Sequence, residues 1–304
     1  MNEQIVAQLF LWHFLKEPKS IHRCGVGIGN FVYIVDYDNI KYVVRCSEGN
    51  GVYDDTVYWL EKLSSIDIPV PKVIERGRFL QYEYIVLTYI SGTDIGLVYQ
   101  GLSTDEKRKI AKDVVKIQNR VAELNLGDLR ADWRWDTFIK DILDRAKKRI
   151  AENGYFSIDK VEQVQSQMKV LNKYFASVKP TAYLDDISTK NLLICDGKIS
   201  GIIDIDWIGI GDCLTFAALT KMALLDLGYD TDYVTFILEE MQPNKIEKIA
   251  FDFYTLMYCV DFMGERGTIF MDKTVEVNDR IVERLNQIYH TLWDDFVRDC
   301  ETLD

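Results

Sequence analysis

Residues 183 to 207 read YLDDISTKNLLICDGKISGIIDIDW, and Asp185, Asp186, Asn191, Asp204 and Asp206 stand there around two apolar runs. Acidic residues weaken strands, so their placement calls for a chemical reason. The pair Asp196-Gly197 favours a tight reversal that folds NLLI back on ISGIID. Such a reversal makes neighbours of Asn191 and Asp204, thirteen residues apart in the chain. Asp186 lies on the loop that feeds the hairpin. A carboxylate, an amide oxygen and a second carboxylate at one edge suit a hard divalent cation, because Mg2+ takes oxygen ligands, typically one or two carboxylates plus substrate phosphates. In this reading Asn191 and Asp204 hold the metal, and Asp186 accepts the proton of an attacking hydroxyl. Taken singly, each residue also has a structural role open to it, Asp185 to Lys190 as a solvated turn and Asp204 as a strand cap. The loop, hairpin and acidic exit together favour chemistry.

A second set lies near the N-terminus. GVGIGNFVYIV carries Gly25, Gly27 and Gly29, followed by Asn30. A dinucleotide-binding phosphate loop opens a helix, whereas this string opens the strand that begins at Phe31. The next apolar run, KYVVRCS, carries Arg45.

The segment LDDISTKN followed by IIDIDWIGIGD resembles the aminoglycoside phosphotransferase-like small-molecule kinases, a branch of the protein-kinase-like fold. Their catalytic loop reads H-G-D-x-x-x-x-N and their metal segment I-D followed by G-D; the related protein-kinase pattern assigns roles to such residues. The resemblance implies Asp186 as catalytic base, Asn191 and Asp204 as Mg2+ ligands, and Asp212 as a brace for the catalytic loop. It implies a glycine-rich hairpin with Gly27, Gly29 and Asn30 over the phosphates of ATP or GTP. Arg45 then stands where the fold carries a phosphate-binding Lys, with Asp54 or Asp55 as its acidic helix partner. The backbone of Thr88 and Ile90, in VLTYISG, would bind the purine edge. Leu184 and Asp185 replace the usual His-Gly, so the loop must be supported by packing at Leu184. Arg for Lys at position 45 exchanges a point charge for a forked donor.

The elements that must hold these residues can be read from periodicity. A β-hairpin spans 30–36 and 41–46 around the turn signal DYDN. Val57, Leu60 and Leu63 fall at helical spacing. IPVPKVIERGRF and YEYIVLTYI read as two more strands. After SGTDIG the character changes. Ser103 and Glu106 form a capping box, and Ile110, Val114, Ile117, Val121 and Leu124 mark one face of a long helix. Helical patterns continue over 134–151, 159–177, 213–226, 230–240, 244–263 and 276–299. The expected fold is α+β, protein-kinase-like and two-lobed: an N-terminal antiparallel sheet lobe over 1–92 that binds nucleotide, and a mostly helical lobe over 93–304 for catalysis and the acceptor.

Composition bounds the function classes. The 304 residues carry 36 Lys and Arg against 48 Asp and Glu, a net charge of −12. That balance argues against a nucleic-acid partner and favours cationic ones. Six cysteines without a C-x-x-C pair, and three histidines, argue against a zinc site and fit a reducing cytoplasm. The N-terminal segment, with Glu3 ahead of its apolar run, reads as an amphipathic helix ending before Pro18 rather than a signal peptide. No window approaches the ~18 apolar residues of a membrane span. The reading is therefore a cytoplasmic, Mg2+-dependent kinase that moves the γ-phosphoryl of ATP or GTP to a hydroxyl of a small, cationic, aminoglycoside-type acceptor. Asp261 and Glu265 are candidates for binding its amines. The alternatives are a metabolite kinase of choline, homoserine, sugar or macrolide type, a nucleotide-binding module without catalysis, and a nucleotidyltransferase built on Asp204-x-Asp206.

Overall fold

The computed structural model describes residues 2–24, 31–127, 133–270 and 273–302. The chain forms two compact units. The first comprises Met1–Thr93, Leu193–Cys195 and Ile199–Ile208; the second comprises Asp94–Leu192, Asp196–Lys198 and Gly209–Asp304.

The first unit opens with α1 (Glu3–Phe14), capped by the Asn2 side chain on the Ile5 N–H at 3.1 Å. The helix ends four residues before Pro18 because Leu15 turns left-handed at φ 60°. Then come β1 (Ser20–Arg23), β2 (Phe31–Tyr37), β3 (Ile40–Glu48), α2 (Asp54–Ser65), β4 (Val73–Phe79) and β5 (Tyr82–Thr88). The strands form one antiparallel sheet in the order β1-β2-β3-β5-β4. The β2–β3 hairpin turns at Asp38 and Asn39, both at positive φ, the pair of backbone states that a two-residue turn matching strand twist requires. Strand β4 starts only at Val73, since Pro69 and Pro71 cannot donate to a ladder. One face of the sheet, Tyr33, Val35, Val44, Cys46, Tyr84 and Val86, buries Val6, Leu9 and Phe10 of α1.

A short three-stranded sheet has the order β6-β8-β9, with β6 (Thr93–Asp94), β8 (Leu192–Cys195) and β9 (Lys198–Ile202). Its hairpin turns at Asp196 and Gly197, at φ 50° and 68°, as the dipeptide requires. Ile202 N–H donates to the Pro69 carbonyl at 2.8 Å, which fixes β9 within the first unit.

The second unit holds α3 (Ile95–Val98), a 3-10 turn at Tyr99–Gly101, α4 (Thr104–Ala122), α5 (Trp135–Asn153), α6 (Asp159–Ser177), β7 (Ala182–Tyr183), β10 (Gly209–Ile210), α7 (Leu214–Leu227), α8 (Asp232–Met241), α9 (Lys245–Glu265), β11 (Ile269–Phe270), β12 (Lys273–Thr274) and α10 (Asp279–Glu301). The capping box of α4 forms in full between Ser103 and Glu106. Helix α9 is apolar around most of its circumference, with Ile249, Phe253, Leu256, Met257, Val260 and Met263 all buried, the pattern of a helix surrounded by others. Helices α5, α6, α7 and α10 pack around it.

Candidate functional site

The loop from Leu184 to Asn191 is anchored at both ends by the second unit. At its start, β7 pairs with β10, and Gly209 lies so close to the Tyr183 ring that an added Cβ would fall 2.3 Å from it. Leu184 is 1% exposed. Packing is only half of its support. Gln118, buried in α4, donates from Nε2 to the Leu184 carbonyl at 2.8 Å and accepts the Leu184 N–H on Oε1 at 2.9 Å. One amide thus closes a ring with the backbone where the resembling family carries a His. At the loop's end Asp94 Oδ1 accepts the Asn191 N–H at 2.9 Å. Gly96 N–H donates to the Thr189 carbonyl at 3.0 Å, and an added Cβ on Gly96 would lie 2.6 Å from that oxygen. The SGTDIG segment is a buttress for this loop as well as a boundary.

Inside the loop, Asp185 Oδ1 accepts the Asp186 N–H at 3.0 Å. Asn191 Nδ2 donates to both the carbonyl and Oδ2 of Asp186, each at 3.0 Å. The nitrogen of the Asn191 amide is therefore turned toward Asp186, and its Oδ1 is the atom left for a cation. Asn191 is held at φ 68°, a conformation that costs energy outside glycine and concentrates at functional sites.

In the first unit, Arg45 on β3 is 6% exposed and meets Asp206 fork to fork. Nη1 donates to Oδ1 at 2.8 Å and Nη2 to Oδ2 at 2.7 Å. Asp204 Oδ1 stands 3.4 Å from Nη1. Thr56 of α2 adds a hydroxyl donor to Asp206 Oδ1 at 2.7 Å, and the Tyr53 ring lies 5.6 Å from the guanidinium carbon. The acid partner of Arg45 is thus Asp206, and neither Asp54 nor Asp55 takes that place. Asp54 lies at the exposed start of α2, paired with Arg76 at 3.1 Å, and Asp55 is exposed beside it. Burial alone would raise the Asp206 carboxyl; the hydrogen bonds and charge of Arg45, with the Thr56 hydroxyl, outweigh it and hold the group below its ordinary range. At Asp204, partial dehydration by surrounding protein raises the carboxyl despite its exposed oxygens, Arg45 pulls it down, and Asp206 pushes it up. Asp204 has φ 60°, the same left-handed state as Asn191.

Other expected residues fall differently. Gly27, Gly29 and Asn30 lie outside the described residues; β2 does begin at Phe31 directly after them. The Thr88 N–H donates to the Lys72 carbonyl at 2.9 Å, so a purine contact of the Thr88 backbone falls to its carbonyl. Ile90 is half-buried, its side chain packed over Gly201. Asp212 does not reach the catalytic loop as a side-chain brace. Its Oδ2 accepts the hydroxyls of Tyr174 at 2.6 Å and Tyr254 at 2.9 Å, and Oδ1 accepts the Leu214 N–H at the start of α7. Burial raises this carboxyl, and those three donors oppose the rise. Asp261 and Glu265 are not free for amines either. Asp261 is buried against Arg145 at 3.1 Å and Arg149 at 3.5 Å, and Glu265 stands 3.6 Å from Arg149.

Two observations bear on a metal and a phosphate. Arg45 Nε is buried and has no hydrogen-bond partner among the described residues, an orphan donor that a phosphate oxygen would satisfy. Among the described residues no three His, Cys, Asp or Glu side chains form a metal cluster. Asn191 Oδ1 and the Asp204 carboxylate are each oxygen donors of the kind that Mg2+ takes alongside substrate phosphates and water. The residues fit the group.

A family model for the phosphotransferase enzyme family matches residues 20–215, which span the sheet, Arg45, the Leu184–Asn191 loop and the 204–212 segment. The chain belongs to the phosphotransferase enzyme family. It is a small-molecule kinase by that membership. Solved structures agree on the fold. A thermostable variant of aminoglycoside phosphotransferase APH(4)-Ia, in ternary complex with AMP-PNP and hygromycin B, aligns at TM-score 0.67 with 16% identity over 97% of this chain and 98% of that one. ADP-bound aminoglycoside phosphotransferase APH(2'')-Ib aligns at 0.64 with 14% identity, over 96% and 98%. A Haemophilus somnus 129PT chain assigned as a fructosamine-3-kinase aligns at 0.60 with 16% identity, over 94% and 97%. The α+β, protein-kinase-like fold expected from the sequence is the fold of this family. No helix among the described residues is long and apolar enough to cross a membrane.

Proposed function

We propose that this kinase transfers the γ-phosphoryl of ATP or GTP, with Mg2+, to a hydroxyl of a cationic small molecule of the aminoglycoside type. The observation that carries the reading is the hydrogen-bonded pair of Asp186 and Asn191 on one anchored loop, with the Asn191 amide nitrogen committed to Asp186. Asp186 accepts the proton as the acceptor oxygen bonds to the γ-phosphorus and the bond to the β-phosphate oxygen breaks, leaving the nucleoside diphosphate. Asn191 supplies its amide oxygen and Asp204 a carboxylate oxygen to Mg2+. The metal, when bound, neutralises charge on the phosphates. Arg45 offers Nε to a phosphate oxygen, and the backbone of Thr88, through its carbonyl, and of Ile90 meets the purine.

The cationic acceptor is supported by where the negative charge lies. From Gly209 to Asp304 there are 19 Asp and Glu against 8 Lys and Arg, whereas residues 1 to 208 carry 29 against 28. Nearly the whole net charge therefore belongs to the stretch from β10 through α10. A field of that sign concentrates cations, and several exposed carboxylate–ammonium contacts of about 0–1 kcal/mol each would share the affinity. Solved relatives of the fold include a hygromycin B complex and a fructosamine-3-kinase, so aminoglycosides and glycated amines both belong in the acceptor panel. The deciding test is Asp186→Asn. Turnover should fall about 10²–10⁴-fold, the usual range for a general base, with nucleotide affinity retained. Turnover near that of the wild type on the acceptor found would remove Asp186 from the role.

A further inference from the structure

We infer that Asp206 is the positioning residue for Arg45, taking the place of an acidic side chain on α2 and tying the phosphate-binding cation to the segment that carries the metal ligand. The inference rests on the nucleotide-binding part of the proposed function and adds a residue to it.

Three features point to Asp206. Both of its oxygens are committed to Arg45 in parallel, at 2.8 and 2.7 Å, a geometry that fixes the plane of the guanidinium as well as its position. The buried polar residue of α2 is Thr56, 2% exposed, and its hydroxyl serves Asp206 rather than Arg45. Nη1 and Nη2 each keep a second N–H, whereas Nε is buried and has no hydrogen-bond partner among the described residues. A Lys at position 45 could not do this, since an ammonium is a point charge with no plane to fix. Arg45 and Asp206 therefore form a unit. The second Asp of the D-x-D pair has its function here, two residues beyond Asp204, and the nucleotidyltransferase reading of that pair loses the carboxylate it needs.

The test is a double-mutant cycle on the full-length protein, with MgATP and MgGTP as titrants and a transferred acceptor for kinetics. Asp206→Asn should raise the nucleotide Kd and KM on the order of ten- to a hundredfold, the range for a hydrogen-bonded charge. Acceptor KM should stay within about twofold. Arg45→Gln should do the same, and the double variant should be no worse than Arg45→Gln alone, because each partner acts through the other. Arg45→Lys should resemble Asp206→Asn, and Asp206→Glu should recover part of the affinity. Thr56→Val leaves both charges in place and guards against loss of folding; it should weaken nucleotide binding by a few-fold. Additive effects in the cycle, Arg45→Lys at wild-type affinity, or equal losses for nucleotide and acceptor would overturn the inference while leaving the kinase assignment standing. A wild type that binds neither nucleotide would overturn the proposed function, and this inference with it.

Discussion

Gln118→Met isolates the clamp that supports the loop carrying Asp186. Met has nearly the volume of Gln, so the substitution leaves little cavity and removes two hydrogen bonds, those to the Leu184 carbonyl at 2.8 Å and from its N–H at 2.9 Å. Gln118 and Leu184 are 2% and 1% exposed, so water cannot replace the lost partner. Each orphaned backbone group costs about 1–3 kcal/mol. Burying a thioether in place of an amide returns part of that, so the net loss is about 2–4 kcal/mol. At roughly 2 cal/mol/K of unfolding entropy per residue, a helical unit of this size would melt about 5–10 °C lower. Calorimetry without ligand reads that shift. Kinetics reads the other half: because Leu184 begins the loop that carries Asp186, kcat should fall by about tenfold or more while the nucleotide KM holds. A variant that melts within about a degree of the wild type, or that loses nucleotide affinity instead of turnover, refutes the reasoning.

Burial, with Asp299 and Asp295 adding and Lys221 opposing, pushes the Asp252 carboxyl up to about 6 from 3.8. The fold therefore holds that proton more tightly than the unfolded chain does, and the associated stability is present below about pH 4 and lost as pH rises through about 6, roughly 3 kcal/mol in all. Asp252→Asn should raise Tm at pH 7.5 and leave it unchanged at pH 4; a lower Tm for the variant at pH 7.5 contradicts the assignment. Gly211 has φ 138°, and an added Cβ would lie 2.2 Å from the buried Trp135 ring, so Gly211→Ala should cost several kcal/mol by overpacking and strain, on the order of 3. Gly154→Ala, at the end of α5 where an added Cβ meets no atom of the described residues within 4 Å, should cost only about 1 kcal/mol; equal urea midpoints for the two variants would show that the ring contact is not what requires a glycine.

What could be read in advance follows the range of the physics. Helix α4 is specified by a period and a capping box within its own residues, and the turn of the β8–β9 hairpin by a dipeptide whose two residues tolerate positive φ. The Asp186-to-Asn191 spacing is likewise local, and its hydrogen bonds form within one loop. The partner of Arg45 was not legible. Asp54 and Asp55 lie close to it in sequence, while Asp206 lies 161 residues away, and the choice is made by which face of α2 the sheet covers. The same holds for Asp261, which reads as a charged helix residue until α5 places Arg145 and Arg149 beside it.

A signal for the missed residues was nevertheless present, in polar side chains that interrupt an apolar stripe. Gln118 follows Ile117 and precedes Val121 on the buried face of α4; Thr56 precedes Val57 and Leu60 on that of α2; Lys107 opens the α4 stripe ahead of Ile110. A polar group there is costly unless something from outside the helix meets it. Each one is met: Gln118 by the catalytic loop at Leu184, Thr56 by Asp206, and Lys107 by Asp230 at 2.8 Å with the Tyr99 ring 4.0 Å away. The periodicity that predicts a helix thus also marks where it must reach out. Two of these three places serve the candidate site, because a loop with little core of its own is held most firmly by a polar group already fixed in a packed helix.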